Sequence, residues 1–481
     1  MPSTEEYKSL FIGGDWIAPA TGKVIGVTSA STAQPIGEVP EAVEDDVDRA
    51  VEAARAAFTD PGGWAHWDAE RRAEALLRLA DALESRGPET ARRVSAQNGM
   101  PIAVADFYEA QVPARLLRYY AGMIRESPSE ESRPGLLREP TLVRRKPVGV
   151  VAAVTPWNFP QTLAFFKIAP ALAAGCTVVL KPSPETVLDS FLLAEAVRQA
   201  GLPQGVINIV PGGRDIGAYL VAHPGVDKVS FTGSTRAGRH IASVCGQLLR
   251  PVTLELGGKS AAVILDDADL DGHLEEMFAA SLLNNGQTCY ASTRILAPRS
   301  RYDEVVDLYT TLLREATVGD PLDPATRVGP LVSPAQRERV EGFIARGKAG
   351  GARLTTGGGR PSGLDGWFVE PTVFADVDPS SEIAQEEIFG PVLTVIRYED
   401  EADAIRIAND SAYGLGGTVW GGDPDHNLAV ARQIDTGTIG INGYGIDAVA
   451  PYGGMKQSGL GRELGPEGLA AFQEFATVYR P

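Results

Sequence analysis

Short apolar runs alternate with helical patterns through the middle of the chain. Strand-like runs lie at 148–154, 176–183, 205–212, 226–234 and 251–258, and four helical stretches separate them. Apolar strands that alternate with helices are typical of a parallel sheet covered on both faces. Ligands of such sheets bind beyond the carboxyl ends of the strands. The pattern therefore predicts an α/β fold with a ligand crevice at that edge.

Helical and strand-like patterns continue on both sides of this region. Helical periodicity at 45–58 and 69–86 predicts two amphipathic surface helices, and a predicted helix at 273–286 leads to Cys289. The terminal segment 472–481 alternates apolar and polar positions, and an extended end of this kind often pairs outside its own domain. Further strand-like runs predict a second α/β unit; they lie at 260–265, 293–298, 390–400, 416–422 and 436–444.

Length and charge narrow the class of protein. A chain of 481 residues predicts two or three domains. The formal net charge of −18 disfavours nucleic-acid binding, because a polyanion would be repelled. No uninterrupted apolar run approaches the roughly 18 residues of a membrane-spanning helix, and the acidic, polar start does not resemble a signal peptide. We therefore expect a soluble, cytoplasmic protein with neither a nucleic-acid nor a membrane partner.

Cysteine and histidine usage gives one candidate nucleophile. Cys176, Cys245 and Cys289 include no CxxC pair, and the five histidines form no metal-spaced cluster, so we expect neither a disulfide framework nor a metal site. Cys289 ends the stretch "GQTC". Free cysteine is among the most buried residue types, so a structural role competes with a catalytic one. No histidine lies nearby, and a helper base would have to come from elsewhere in the chain.

Two polar residues at predicted strand ends could serve such a thiol. Asn158 lies in the loop "TPWNFP", which two prolines restrict, and its amide could donate to an oxyanion or simply hold the turn. Glu255 ends the fifth strand among apolar residues. A carboxyl group in that setting has a raised pKa and suits a general base, although an ion-paired core glutamate fits as well.

The sequence indicates a dinucleotide-binding site less clearly than it indicates the candidate catalytic residues. No GxGxxG motif follows a predicted strand. Gly233 and Ser234 open a helix after the fourth strand, where a phosphate site and an ordinary capped turn both fit. Lys181 ends the second strand, which suits a ribose or phosphate contact or a solvated lysine. Glu387 and Phe389 precede a turn and could be a solvated acid and a core ring. The residues alone leave these alternatives open.

Seven motifs together resemble the aldehyde dehydrogenase superfamily. They extend from about residue 156 to 459 and occur in the order "TPWNFP", "KPSPET", "FTGST", "LELGGKS", "GQTC", "EEIFGP" and "PYGGMKQSG". The pair "LELGGKS" and "GQTC" is the most specific. The resemblance implies that Cys289 is the nucleophile, that Glu255 is the general base, and that Asn158 and the Cys289 backbone N–H bind the oxyanion. It implies a thiohemiacetal and then a thioester on the cysteine.

The resemblance also implies binding residues. Those for the cofactor are Thr155, Pro156, Trp157, Lys181, Ser183, Glu185, Gly212, Gly233, Ser234, Gly257, Glu387 and Phe389. Those for the substrate pocket are Phe159, Leu163, Phe166, Thr288, Tyr290, Tyr444 and Tyr452. This second set is mostly aromatic and uncharged, and it contains no arginine that could hold a second carboxylate. We therefore expect an apolar or aromatic aldehyde of medium to large size.

Three parts are implied by the same resemblance. The expected fold is a Rossmann-type parallel-sheet cofactor domain (1–127 and 147–257), an α/β catalytic domain (258–457) and a small β oligomerisation element (128–146 and 458–481). Members of the superfamily are usually homodimers or homotetramers, so we expect one of these states.

One departure bears on the cofactor. Many relatives have a glutamate three residues after the lysine, where it binds the adenosine ribose, whereas this chain has Pro184 there and Glu185 next. A carboxylate at this place would still repel the 2′-phosphate of NADP, so we expect NAD. Glu255 also favours hydrolysis over acyl transfer, since relatives that acylate coenzyme A generally lack it. The alternatives are a coenzyme-A-acylating semialdehyde dehydrogenase and a catalytically silent binding or structural member of the fold.

Overall fold

The computed structural model describes residues 5–136 and 140–479. The helices in these ranges are α1 Glu44–Thr59, α2 Ala69–Glu84, α3 Gly87–Asn98, α4 Ile102–Tyr108, α5 Val112–Glu126, α6 Pro160–Ala174, α7 Leu188–Gln199, α8 Arg214–Ala222, α9 Thr235–Gln247, α10 Leu274–Leu282, α11 Tyr302–Arg314, α12 Pro334–Ala349, α13 Glu382–Gln385, α14 Glu401–Asn409, α15 Pro424–Ala431 and α16 Gly465–Ala470. The strands are β1 Glu5–Glu6, β2 Leu10–Ile12, β3 Asp15–Ile17, β4 Val24–Thr28, β5 Pro35–Pro40, β6 Glu130–Arg133, β7 Thr141–Pro147, β8 Val150–Val154, β9 Thr177–Lys181, β10 Ile207–Ile209, β11 Lys228–Thr232, β12 Val252–Glu255, β13 Ala261–Ile264, β14 Arg294–Pro298, β15 Arg353–Thr356, β16 Thr372–Ala375, β17 Val392–Tyr398, β18 Tyr413–Gly414, β19 Gly417–Trp420, β20 Gly440–Ile441, β21 Met455–Lys456, β22 Gly459–Leu460 and β23 Gln473–Val478.

The first large sheet confirms the predicted alternation of strands and helices. Its order is β22-β12-β11-β8-β9-β10-β2-β3, and the five strands from β12 to β10 are parallel. Every residue of β8, β9 and β11 is buried, as expected for continuous apolar strands with both faces covered. Helices α6 to α9 form the four crossovers.

Strand order reverses at β8, and this reversal locates the crevice. The chain proceeds from β8 to β9 and β10 on one side, then returns through α8 to place β11 and β12 on the other side. The helices after β8 and β11 therefore leave the sheet in opposite directions. Such a switch point opens a crevice at the carboxyl ends of the strands, which is where ligands of doubly wound sheets bind.

Both edges of this sheet carry antiparallel strands that the hydrophobic pattern does not predict. Strand β2 pairs with β10 and with β3, while β22 pairs with β12. These strands are two or three residues long. A run that short shows no periodicity of its own, and its pairing is determined by the sheet it joins.

The second large sheet has the order β15-β16-β17-β14-β13-β19-β20. It is parallel except for the edge pair β15 and β16. The five strand-like runs predicted after residue 258 correspond to β13, β14, β17, β19 and β20. The segment before β14 contains Cys289, so the cysteine lies at the amino end of this sheet and faces the carboxyl end of the first one.

A small third sheet joins distant parts of the chain. Strand β7 lies between β6 and β23, and both pairings are antiparallel. The extended C-terminal segment thus pairs with a hairpin more than 300 residues earlier, as its alternation suggested. The three-part division predicted from the sequence stays a prediction; residues 1–4, 137–139 and 480–481, which fall within its parts, lie outside the described residues.

Within residues 5–136 and 140–479, no helix has the length and apolar content needed to cross a membrane.

Candidate active site

A kinked turn after α10 presents Cys289. The predicted helix at 273–286 ends earlier, at Leu282, because Asn284, Asn285 and Gly286 have φ values of +50°, +62° and +74°. Asparagine and glycine tolerate this left-handed region better than other residues. The amide run seen in the sequence therefore ends the helix and turns the chain toward the first sheet.

The asparagine side chains of this turn fix its position. Asn285 donates to the carbonyl oxygens of Gly99 (2.8 Å) and Pro330 (2.9 Å), and its own oxygen accepts from the Gly329 N–H. Asn284 donates to the carbonyl oxygen of Asn158 at 2.7 Å. The turn is thus tied to three separate segments of the chain, at Gly99, at Asn158 and at Gly329–Pro330, which restrains the loop that carries the candidate nucleophile.

Close backbone packing also confines Cys289. A Cβ on Gly258 would lie 2.3 Å from the Cys289 carbonyl oxygen, so only glycine fits there. Gly258 is the second glycine of "LELGGKS", and the close approach of the cysteine loop explains why a glycine is needed there. Strand β12 and Cys289 are held at a fixed separation.

Asn158 lies beside this loop at the carboxyl end of β8. Its side chain is 3% exposed and donates to the Gln287 carbonyl oxygen at 3.0 Å. Its backbone carbonyl accepts from both Asn284 and Asn98. An amide carries two N–H donors, so Asn158 can hold the loop with one and offer the other to an oxygen near Cys289.

Glu255 ends β12 in a closely packed, buried position. A Cβ on Gly453 would lie 2.5 Å from one carboxyl oxygen of Glu255. Burial raises the pKa of Glu255 well above its usual range, and the nearby Glu463 carboxylate adds to the rise, while Lys167 opposes it. A carboxyl group with a raised pKa is the predicted feature of a general base at this place.

The sequence analysis missed the ion pair behind Glu255. Lys167 on α6 donates to Glu463 at 2.7 Å, and both side chains are almost fully buried. Lys167 also donates to Thr232, and Ser230 donates to Glu463. In the sequence, Lys167 only interrupts an apolar run. Glu463 lies almost 300 residues later, in the stretch "GLGREL", where no charge pattern relates it to Lys167. Nothing in the local sequence could have paired them.

The sulfur of Cys289 differs from the other two thiols. Cys176 and Cys245 are buried, whereas Cys289 is partly exposed. The pKa of the Cys289 thiol is raised to about 12, mainly by burial. A hydrogen bond with Tyr452 lowers this pKa, whereas the charges of Glu387 and Glu255 raise it. The Cys289 sulfur and the Tyr452 hydroxyl oxygen are 3.4 Å apart.

Lys181 ends β9 at the other end of the crevice. It is 6% exposed and donates to the carbonyl oxygens of Pro182 and Gly212, each at 2.8 Å. Burial lowers its pKa to about 8. Ser183 donates to the exposed carboxylate of Glu185, which lies beside this lysine. A cation and a carboxylate thus border the same opening.

The N-terminus of α9 opens into the same crevice. Ser234 caps the helix by accepting from the Ala237 N–H, and the residue is exposed. A Cβ on Gly233 would lie 2.5 Å from the Phe231 ring, so glycine is required before the cap. A helix N-terminus that follows a small, exposed turn is suited to bind a phosphate group.

Residues that precede β17 of the second sheet lie across the crevice. Glu387 accepts from the Gly258 N–H at 3.0 Å, and a Cβ on Gly257 would lie 2.6 Å from its other oxygen. Phe389 has φ +64°, and its ring meets Trp157 edge-on with centroids 5.2 Å apart. Thr155 is buried, and its N–H donates to the Lys181 carbonyl; Pro156 follows it and is partly exposed.

An aromatic pocket surrounds the Cys289 sulfur. Phe166 meets Tyr452 edge-on at 5.9 Å, and Tyr290 stacks on Tyr444 at 4.4 Å. The predicted pocket residues Phe159, Leu163, Phe166, Tyr290, Tyr444 and Tyr452 share one hydrophobic cluster with Cys289. Thr288 is buried, and its hydroxyl donates to the Leu283 carbonyl.

Tyr108 is a pocket residue that the sequence analysis missed. Its ring meets Phe159 edge-on at 5.4 Å, and its backbone carbonyl accepts from Thr162. It ends the short helix α4, far from the pocket motifs in sequence, and gives no local signal. Glu109, which follows it, is fully buried and accepts from the Gln161 N–H at the start of α6. Burial raises the pKa of Glu109 to about 8.

Comparison with known proteins identifies similar chains. The model of the aldehyde dehydrogenase family matches residues 16–478. A geranial dehydrogenase from Castellaniella defragrans is 58% identical over 476 residues, which cover 99% of each chain. A 3-succinoylsemialdehyde-pyridine dehydrogenase from a Pseudomonas species is 43% identical, over 98% of each chain. A solved Mycobacterium tuberculosis aldehyde dehydrogenase in complex with NAD+ is 48% identical, with a TM-score of 0.97 over 100% of this chain and 99% of that one.

Proposed function

The chain belongs to the aldehyde dehydrogenase family, and from that premise we propose that it oxidises an apolar aldehyde to the carboxylic acid with NAD as cosubstrate. The observation that carries the proposal is the meeting of Cys289, Asn158 and Glu255 at one crevice, although more than 30 residues separate each from the next. A thiol, an amide donor and a buried carboxyl group are the parts that acyl-enzyme chemistry needs.

Carbon–sulfur bond formation is the first step. The Cys289 sulfur, as thiolate, attacks the carbonyl carbon of the aldehyde, and the carbonyl oxygen takes the electron pair. Asn158 and the Cys289 backbone N–H donate to that oxyanion. Because the side chain of Asn158 is already fixed by Gln287, its donor needs no reorganisation. Loss of one such donor typically costs about 100- to 1000-fold in rate.

The crevice residues fit NAD. A Cβ on Gly233 would meet the Phe231 ring and one on Gly257 would meet the Glu387 carboxylate, so the backbone stays bare at both positions. The open N-terminus of α9 suits a pyrophosphate. When bound, NAD supplies the acceptor for the aldehyde hydride. Lys181 would bind the adenosine ribose, and Glu387 the nicotinamide ribose. Glu185 would repel a 2′-phosphate, which favours NAD over NADP.

Hydrolysis completes the proposed reaction. Glu255 in its carboxylate form takes a proton from water, the water oxygen attacks the thioester carbon, and the thiolate of Cys289 leaves. Burial of Glu255 supports this role because it raises the pKa of the carboxyl group and makes the carboxylate a stronger base. The same residue argues against a coenzyme-A-acylating enzyme, and product analysis with and without coenzyme A separates the two reactions.

An apolar substrate follows from the wall of the pocket. The eight side chains named for the pocket, Tyr108 included, carry no charge at neutral pH. A substrate carboxylate placed there would be desolvated without a cationic partner, which is costly. The geranial dehydrogenase relative, whose substrate is an apolar aldehyde by its name, supports the same choice.

We expect apolar aldehydes to exceed succinic semialdehyde in kcat/KM by at least about 100-fold, because of that desolvation cost. The measurement is NADH absorbance with geranial, octanal, benzaldehyde and succinic semialdehyde, each with NAD and with NADP. NAD should be preferred by about tenfold or more, through the carboxylate of Glu185. Succinic semialdehyde far ahead of benzaldehyde would refute the proposed substrate class.

Exposed apolar side chains on the third sheet indicate a surface for assembly. Strand β23 exposes Phe475 (59%) and is followed by Tyr479 (71%), apolar area that a partner chain would cover. We infer a homodimer or homotetramer built through the third sheet. Light scattering should give two or four times the mass of one chain, and a single-chain mass would contradict the inference. Three free thiols suit a reducing compartment, which is consistent with the cytoplasm.

A further inference from the structure

The hydroxyl of Tyr452 lies next to the reacting sulfur. The two atoms are 3.4 Å apart, within hydrogen-bond reach for sulfur, and Tyr452 is 3% exposed. Burial raises the pKa of Tyr452 well above its usual range, so the phenol keeps its proton. The structure therefore places a neutral O–H donor at the atom that must carry negative charge during catalysis.

Tyr452 is held in this position from two sides. Its backbone N–H donates to the Glu463 carbonyl at 2.7 Å, and the Glu463 N–H donates back at 2.8 Å. Its ring packs edge-on against Phe166. Glu463 is fixed in turn by the buried ion pair with Lys167, which follows Phe166 on α6. The direction of the hydroxyl is thus set by the fold before any substrate binds.

The other tyrosines of the pocket use their hydroxyls differently. The hydroxyl of Tyr444 lies 2.5 Å from the Thr438 hydroxyl, and Tyr444 presents its ring face to Tyr290. These two residues form an aromatic wall. Tyr452 contributes to the wall as well, but its oxygen meets the sulfur. Its position therefore serves a purpose beyond apolar contact.

The thiol needs such a donor because its surroundings oppose ionisation. Burial disfavours the thiolate, and Glu387, Glu255 and Tyr444 would add unfavourable charge when ionised. A hydrogen bond to the charged form favours that form. Ionisation breaks the S–H bond and releases its proton to water in the crevice, while the phenol O–H bond stays intact.

Resting on the proposed role of Cys289, we propose that the Tyr452 hydroxyl donates a hydrogen bond to the Cys289 sulfur and stabilises its thiolate. Tyr452 is then a catalytic residue, since it touches the reacting atom. As the sulfur attacks the aldehyde carbon, its negative charge passes to the carbonyl oxygen, and the hydrogen bond from Tyr452 weakens. The donor therefore prepares the nucleophile, whereas Asn158 serves the oxyanion.

Tyr452→Phe tests this inference, because it removes the hydroxyl and keeps the ring that packs on Phe166. The full chain is alkylated with iodoacetamide across a pH range, with neither aldehyde nor NAD present. We expect the pKa of the alkylation profile to rise by about one unit and the rate near pH 8 to fall about tenfold. The NADH burst with aldehyde should slow by a similar factor, while the melting temperature and NAD binding change little.

Tyr398→Phe is the matched control. Tyr398 is buried, and its hydroxyl donates to the Ile264 carbonyl at 2.7 Å, at the end of the second sheet away from Cys289. This variant also loses a buried hydroxyl, but its alkylation profile and turnover should match the wild type. A general loss of packing would affect both variants, whereas a specific donor affects Tyr452→Phe alone.

Two outcomes would overturn the inference and are distinguishable. An alkylation profile and burst rate of Tyr452→Phe within about twofold of the wild type would refute the role of the hydroxyl and leave the proposed function intact. An NADH burst from Cys289→Ala as large and as fast as that of the wild type would refute both the inference and the proposed nucleophile.

Discussion

Replacing Cys289 by alanine is expected to abolish aldehyde oxidation, with a loss of at least about 10⁴-fold in kcat. In the proposed mechanism the sulfur forms the bond to the substrate carbon, and alanine offers no nucleophile in its place. The fold should survive, because the loop is held by Asn284 and Asn285 and by close packing on Gly258. The measurements are NADH formation with a preferred aldehyde and NAD binding by calorimetry, which should be close to that of the wild type.

Cys245→Ala is the control for this prediction. Cys245 is buried near the C-terminus of α9 and has no proposed role in catalysis or binding. We expect its turnover to match the wild type. Turnover of Cys289→Ala above about one hundredth of the wild-type rate would contradict the proposed mechanism, because residual catalysis without the covalent step should be far lower.

For Glu255→Gln we expect a burst of NADH followed by a steady rate about 100- to 1000-fold below that of the wild type. The amide has the shape of the carboxyl group but cannot accept a proton from water. Attack by Cys289 and hydride loss proceed, and the thioester accumulates. Stopped-flow absorbance resolves the burst, and its amplitude should approach one NADH for each active site.

The pH dependence gives an independent check on Glu255. Burial raises the pKa of Glu255, so its carboxylate form appears only above that raised value, and deacylation by the wild type should rise with pH through it. In Glu255→Gln this limb should be absent. Glu315→Gln, at the exposed end of α11, is the control and should keep both the limb and the rate. A steady rate of Glu255→Gln equal to the wild type would exclude Glu255 as the base.

The regular part of the fold was predictable because its strands are buried on both faces. Strands β8, β9 and β11 are buried at every residue and have apolar residues between their ends, and the helices between them show clear periodicity. The edge strands β2 and β22 were not predictable from the sequence, because runs of two or three residues acquire a partner only through tertiary structure. The helix before Cys289 ended early for a local reason, the left-handed Asn284 and Asn285.

The candidate site also contains residues that the local sequence predicts and residues that only tertiary contacts reveal. Cys289, Asn158 and Glu255 could be named from motifs and from their places at strand ends. Tyr108 and the pair Lys167 and Glu463 could not, because each acts through a contact between segments far apart in sequence. The hydroxyl of Tyr452 is a similar case: the motif supplies an aromatic residue, and only the folded chain shows that its oxygen meets the sulfur.

The proposed mechanism requires that the sulfur of Cys289 carries the acyl group. The most direct test is mass spectrometry of Glu255→Gln, mixed with aldehyde and NAD, quenched in acid and digested with trypsin. Cys289 is the only cysteine in the tryptic peptide 260–294. We predict that this peptide gains the mass of the acyl group at Cys289 and that Cys289→Ala protein gains none. An unmodified peptide 260–294 during the burst, or an acyl group on another residue, would contradict the account.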